Sequence, residues 1–283
     1  MSKKILALLL GLTLCLSLAA CGGDTADTAE TTGDSAESGD TAETTTTLTV
    51  AASPTPHAVI LEACVPLLAE QGIELVINQY DDYVVPNTAV EDGDEDANYF
   101  QHLPYLEEFN ETRGTHLVDV AGVHIEPMGI YAGRVESLED LPDGAVIGVP
   151  NDPTNEGRAL LLLEAQGLIT LDDSSNLSAT PSNIVDNPKG LKFEEIEAQT
   201  LPSSRPDLDL AVINSNYALG AGLNPTTDAL AIESSGSPYV NVLVVKEGNE
   251  NNEAIQALVE ALHSDTIRDF INEEFDGAVV PAF

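Results

Sequence analysis

Ala145-Val-Ile-Gly-Val-Pro-Asn-Asp-Pro-Thr-Asn-Glu-Gly-Arg158-Ala-Leu-Leu-Leu-Leu163 is the stretch that decides the fold. Its first five residues form an apolar run that reads as a buried strand. Asp152 is a good N-cap and Pro153 suits the first helical position. A strand therefore gives way to a helix here, and the free N–H groups of the helix start face the gap between them. Ala159 to Leu163 is apolar all round, so the helix is expected to be buried, with Gly167 as its stop. Arg158 lies just over one turn inside. A guanidinium beside a helix start suits a carboxylate; on a chain with ten basic and 48 acidic residues a surface ion pair is the plainer reading from spacing alone.

Outward from this unit, strand-like and helix-like runs alternate, the pattern of an α/β protein. Thr47–Ala51 alternates like a strand, and Ala58 to Gln71 reads as a helix closed by Gly72, with Pro66 disturbing its regularity. Strands are expected at Ile73–Asn78, Asp96–Gln101 and His116–Val123, with a helix from Leu103 to Asn110. Later strands are expected at Leu191–Ile196, Leu210–Ile213, Ala229–Ile232 and Tyr239–Lys246. Glu253–His263 and Thr266–Phe275 read as closing amphipathic helices.

Several polar groups sit where strands end. In Asn98-Tyr-Phe-Gln-His102, strand alternation puts Phe100 and His102 on one side and Tyr99 and Gln101 on the other; a core ring with a capping imidazole is the plainer alternative. In Ile213-Asn-Ser-Asn-Tyr217, Asn214 or Ser215 caps a helix and Asn216 sits at its opening. An amide there can accept from an ammonium and donate to a carboxylate, or simply serve the turn. Asn241 is a lone amide in an apolar strand and needs partners, from neighbouring strands or from a ligand. Tyr83 is a further candidate. Together these groups suit a small zwitterion.

The N-terminus reads as a targeting segment, residues 1–20. Lys3 and Lys4 precede an apolar core, Ile5 to Leu18, of about 14 residues, short for a bilayer span. Leu18-Ala-Ala-Cys21 resembles the lipobox of bacterial lipoproteins, which makes Cys21 the expected lipid-bearing residue, palmitate included, of a chain held on the outer face of the cell membrane. Residues 22–46 carry seven acids and no large apolar side chain, the composition of a solvated tether. Cys15 leaves with the leader, so Cys64 has no partner for a disulfide and reads as a small core residue. The remaining 237 residues hold 41 acids and eight bases, a net charge near −33. Such a surface repels nucleic acid and anionic membranes.

Other chemistries find little support. There is no Gly-x-Ser-x-Gly elbow and no phosphate-binding loop. The five histidines show no His-x-x-x-His pair. No catalytic residue, resident metal or cofactor is expected.

Four segments carry a family resemblance: Asp96-Ala-Asn-Tyr-Phe-Gln-His-Leu-Pro-Tyr-Leu106, Gly122-Val-His-Ile-Glu-Pro-Met-Gly-Ile-Tyr131, Val149-Pro-Asn-Asp-Pro-Thr-Asn-Glu-Gly-Arg-Ala-Leu160 and Ala211-Val-Ile-Asn-Ser-Asn-Tyr-Ala218. They are similar to the signatures of the NlpA-type methionine-binding lipoproteins, solute-binding subunits of ATP-driven methionine importers. The resemblance spans residues 47–283. It implies a periplasmic-binding-protein-like fold of type II: two hinge-linked α/β lobes, residues 47–125 plus 240–283 and residues 126–239, with ligand in the interlobe cleft. His124 to Tyr131 and Ser237 to Val242 would be the crossing segments. It also implies that Arg158 grips a ligand carboxylate in a bidentate fashion, that Asn216 and Asn241 bind its amino and carboxylate ends, and that Tyr83, Phe100 and His102 line the pocket for a thioether. The implied ligand is L-methionine, passed to an ABC permease and, through it, to an ATPase subunit. D-methionine, a methionine-containing dipeptide and a metal ion are the alternatives.

Overall fold

The apolar runs assemble into two separate sheets. The computed structural model describes residues 45–234 and 236–283; the leader, Cys21 and nearly all of the tether lie outside the described residues. Four strands come first: β1 (Thr46–Ala52), β2 (Ile73–Gln79), β3 (Ala97–His102) and β4 (Leu117–Ile125). Then follow β5 (Gly129–Ala132), β6 (Val146–Pro150), a small pair β7 (Thr170–Leu171) and β8 (Ile184–Asp186), β9 (Lys192–Ile196), β10 (Leu210–Ile213) and β11 (Ala229–Ile232). The chain ends with β12 (Val240–Lys246) and β13 (Val280–Pro281).

The first sheet has the order β13-β4-β12-β3-β1-β2, and the second β11-β5-β10-β6-β9. β1 runs parallel to β2 and β3, and β6 parallel to β9 and β10. β12 is antiparallel to both β3 and β4. The chain passes from the first sheet to the second between Ile125 and Gly129, and returns between Ile232 and Val240.

Each sheet has its own core. Val50, Tyr99 and Leu243 of the first sheet pack under α1 (Val59–Ala69), α7 (Glu253–Leu262) and α8 (Asp265–Phe275). The amphipathicity of the last two helices matches their buried Ile255, Leu258, Ile267 and Ile271. Pro66 stands inside α1 and the helix continues only one turn beyond it. In the second sheet Ile147, Val149 and Val212 pack against Leu160 and Leu163 of α4 (Pro153–Ala165). Both leucines are fully buried, so Leu160→Ala would cost about 2–5 kcal/mol.

The strand-to-helix stretch around Asp152 folds as expected. Asp152 caps α4 through a 3.0 Å bond from the Asn155 N–H, and Pro153 opens the helix. Gly157 is required by packing: a Cβ there would lie 2.3 Å from the Leu177 carbonyl oxygen.

Besides the short strands β7, β8 and β13 and one short helix, three features depart from the expected pattern. α2 (Val85–Asp92) is an added helix: Asp82 Oδ1 accepts from the Val84 and Val85 N–H groups, and Gly93 ends the helix at φ +82°. β5 is an added strand, Gly129-Ile-Tyr-Ala132, too short to show a period. The third concerns β3, where the register against β12 slips between Tyr99 and Gln101. Phe100 is the extra residue of this bulge. Strict alternation therefore fails, and Gln101 joins Asn98 instead of Tyr99: its Nε2 donates to Asn98 Oδ1 at 3.0 Å. Two more helices, α3 (Leu103–Arg113) and α6 (Ser215–Gly220), start at the ends of β3 and β10. The described α-helices are completed by the short α5 (Leu201–Ser204).

Candidate functional site

Strand ends and helix starts from both sheets converge on one small cavity. One wall comes from the second sheet. Arg158 and Asn155 project from the first turns of α4, and Asn214 and Ser215 from the β10–α6 junction. The other wall comes from the first sheet: Phe100, Gln101 and His102 of β3, Tyr105 of α3, Tyr83 from the loop before α2, and Asn241 of β12. Glu126, in the first link between the sheets, completes the lining.

Arg158 is only 3 % exposed. A buried guanidinium needs acceptors. Nη2 donates to the Glu126 carbonyl at 2.7 Å and to Glu233 Oε2 at 2.5 Å, and Nε donates to the same Glu233 oxygen at 3.0 Å. The guanidinium also lies over the Tyr239 ring, 4.3 Å from its centre. Nη1 makes no hydrogen bond among the described residues. The Nε/Nη2 edge of the fork is thus already taken, and Nη1 is what remains to meet a ligand in this arrangement.

An amide network ties that wall together. Asn155 Oδ1 accepts from Asn214 Nδ2 at 2.7 Å and from His102 Nε2 at 3.1 Å. Asn155 Nδ2 donates to Asp152. His102 also caps α3, its Nδ1 accepting from the Tyr105 N–H at 3.2 Å. Both roles need the neutral imidazole with its proton on Nε2. Burial, helped by the charge of Arg158, lowers its pKa from 6.5 to about 3. The capping and lining readings of His102 both hold.

Asn241 stands opposite His102 on one side and His124 on the other, so the three share one row across β3, β12 and β4. Its Oδ1 lies 2.9 Å from Nε2 of His57, in the turn Pro54–Ala58 that follows β1. His57 Nε2 also lies 3.3 Å from Glu126 Oε1, and His124 Nε2 lies 2.8 Å from that same oxygen. Burial lowers His57 to about 4 and His124 to about 3, while it raises the Glu126 carboxyl above its usual range.

The donor atoms of His57, His124 and Glu126 lie within 4.8 Å of one another, a spacing one divalent ion can use. The hydrogen bonding engages these atoms otherwise. Each Nε2 faces oxygens that accept, so each carries a proton, and Tyr99 hydroxyl donates to His124 Nδ1. An ion would have to displace both protons.

Of the six expected contact residues, Tyr83, Phe100, His102, Arg158 and Asn241 line this cavity. Asn216 instead borders a second, larger and more open hollow with Asp81 and Tyr217. It is linked to the first cavity through Tyr83, whose hydroxyl donates to Asn216 Oδ1 at 2.7 Å. Tyr83, Phe100 and Tyr105 form an aromatic cluster with centres 5.9–6.2 Å apart. The sequence alone does not single out Gln101, Tyr105, Glu126, Asn155 and Asn214 as ligand-facing. Asn155 has a legible signal: it is the polar residue three positions after the N-cap, one turn before Arg158. Glu126 is the lone acid of the otherwise apolar run Ile125-Glu-Pro-Met128.

The same arrangement of elements recurs in known proteins. The family described as NlpA lipoprotein matches residues 48–283. The chain is 44% identical over 239 residues to the methionine-binding lipoprotein MetQ of Bacillus subtilis, covering 83% of this chain and 87% of that protein. A nutrient-binding protein from Burkholderia cenocepacia, solved bound to methionine, superposes with a TM-score of 0.80 at 41% identity, over 83% of this chain and 100% of that one. The periplasmic substrate-binding protein of an ABC transporter from Coxiella burnetii gives 0.79 at 42% identity, again over 83% of this chain and 100% of its own.

Proposed function

Because the chain belongs to the NlpA lipoprotein family, we propose that it is the solute-binding subunit of an ABC importer and captures L-methionine outside the cytoplasmic membrane. It binds and releases; no bond of the ligand is made or broken. The observation that carries this reading is the composition of one cavity: a buried guanidinium with an unoccupied nitrogen, several amides, and an aromatic cluster.

Each group has a distinct role. Arg158 Nη1 takes the ligand carboxylate, a charge-assisted bond in a dry site. Asn241 orients the polar end of the ligand, and Asn216 acts through Tyr83. Phe100, Tyr83 and Tyr105 receive the thioether, since sulfur against aromatic rings is favourable. His102, neutral and fixed by Asn155 and the Tyr105 N–H, holds the wall without adding charge.

The sheets act as two lobes, residues 47–125 with 240–283 and residues 126–239. The links 126–128 and 233–239 serve as hinges, and lobe closure presents a docking face to the permease, whose ATPase subunit drives import. Cys21 carries the lipid that keeps the receptor on the outer face of the membrane. The test is a binding panel by calorimetry with L-methionine, D-methionine, methionine dipeptides and Zn²⁺. L-methionine binding tightest supports the reading; a dipeptide or D-methionine binding tighter reassigns the ligand, and Zn²⁺ alone binding overturns it.

A further inference from the structure

A buried guanidinium is aimed only as well as its partners are fixed. The partners of Arg158 come from the links between the sheets and not from its own helix. Arg158 borders the main cavity, but it also borders a more open hollow on the outer side of α4, with Leu161, Leu177 and Ile232. A guanidinium without a countercharge would swing that way to reach water.

Glu233, the first residue after β11, prevents this. Its Oε2 accepts from Arg158 Nε at 3.0 Å and Nη2 at 2.5 Å, and from the Met128 N–H at 3.3 Å. Its Oε1 accepts from the Ser237 hydroxyl at 3.0 Å. The Ser237 oxygen accepts from the Tyr239 N–H at 3.3 Å, and the Tyr239 ring lies against the guanidinium. A closed circuit thus runs from Arg158 through Glu233, Ser237 and Tyr239 back to Arg158. The backbone joins it, since the Glu233 N–H donates to the Met128 carbonyl at 2.8 Å. One residue therefore bonds to both links and to the guanidinium. Glu233, Ser237, Tyr239 and Met128 all stand outside the lining of the main cavity.

We propose that Glu233 is the positioning residue of the carboxylate grip: it touches no ligand, clasps the two links together and aims Arg158 Nη1 from the hinge. This rests on the carboxylate reading of Arg158 under Proposed function and deepens it. Deleting the Glu233 side chain has two opposed effects. It unmasks the charge of Arg158, which favours an anion, and it releases a long side chain toward the outer hollow. Release dominates, because re-ordering a freed arginine costs about 30-fold in affinity.

The test compares L-methionine with L-methioninol, which keeps the ammonium and thioether but carries a hydroxymethyl group in place of the carboxylate. Calorimetry on the wild-type chain is expected to show a preference for methionine of about 100-fold or more. Glu233→Ala is expected to lower methionine affinity by about 30-fold and methioninol affinity by less than about threefold. Glu233→Gln keeps an acceptor at the same reach, so it should recover most of the loss and stay about threefold weaker than wild type. Glu233→Asp keeps the charge but retracts it by one methylene; it should behave like the alanine variant and replaces it if thermal melting shows that variant unfolded. Equal losses for both ligands would mean a structural role only and overturn the proposal. So would a folded Glu233→Ala protein within about threefold of wild type, or a Glu233→Gln protein as weak as Glu233→Ala. If the wild-type chain itself does not prefer methionine to methioninol, the carboxylate reading of Arg158 fails and the proposal with it; the other failures leave that reading standing.

Discussion

The two walls of the cavity are assembled in different ways. The wall from the second sheet is local: Asp152, Asn155 and Arg158 belong to one strand-to-helix turn, and Asn214 and Ser215 to another. The wall from the first sheet is assembled from further apart: Tyr83, Phe100 and Tyr105 come from a loop, β3 and α3, and Asn241 joins them because β12 inserts antiparallel between β3 and β4. The local wall carries charge and amides in a dense bonded network. The long-range wall carries rings together with Gln101, His102 and Asn241. Charge and amides are thus placed where backbone geometry is most tightly set, and rings where side chains can adjust.

If the local wall supplies the dominant recognition, Arg158→Ala has the largest effect. Methionine affinity should fall about 100-fold or more by calorimetry, the cost of leaving a desolvated carboxylate unpaired. A loss under about tenfold would move the charge recognition elsewhere. Glu233 would also lose its partner, so the melting temperature should be followed in parallel.

Asn241→Ala probes the long-range wall. It removes a cavity-lining amide and leaves the buried His57 Nε2–H with only the longer approach to Glu126. An affinity loss of about tenfold, with destabilisation of about 1–3 kcal/mol, is expected from titration and denaturant unfolding. An effect equal to that of Arg158→Ala would erase the contrast between the walls.

The buried histidines predict a pH dependence of stability. His57, His102 and His124 have folded pKa values of about 4, 3 and 3, depressed below 6.5 by burial. Well above pH 6.5 they are neutral in both states and cost nothing. As pH falls from 6.5 toward 4 the unfolded chain takes up protons that the folded chain refuses, so stability drops. Glu126, and Glu156 with its pKa of about 7, act in the opposite sense, gaining stability as pH falls. In a pH series of melts His57→Asn should flatten the loss below pH 6.5; an unchanged slope would mean that His57 protonates in the fold.

The smallest effect is expected for Tyr83→Phe. It deletes only the hydroxyl bonded to Asn216 and keeps the ring beside Phe100. Affinity should change by about three- to tenfold, since one neutral hydrogen bond contributes about 0.5–1.5 kcal/mol. No change would confine the role of Tyr83 to its ring.

The contrast also explains what is legible in the chain. Asp152, Pro153 and Arg158 can be read because cap, helix start and guanidinium lie within seven residues, and local propensity and tertiary structure agree there. Asn241 is legible as an amide in an apolar strand, a conflict that demands a partner. Alternation puts Gln101 on the wrong face because the bulge at Phe100 depends on the register with β12, about 140 residues away in sequence. Glu126 is only half legible: it stands out as the lone acid of an apolar run two residues after His124, but its contact with His57, far earlier in the chain, leaves no spacing signal. α2 escapes a periodicity reading although its local signals, Asp82, Pro86 and Gly93, are all present.

The central claim is that Arg158 meets the carboxylate of methionine inside this cavity. A crystal structure at saturating L-methionine tests it most directly. A ligand carboxylate oxygen is expected about 2.7–2.9 Å from Arg158 Nη1, with the thioether against Phe100 and Tyr83. Methionine lodged away from that guanidinium, or a cavity left empty at saturation, would contradict it.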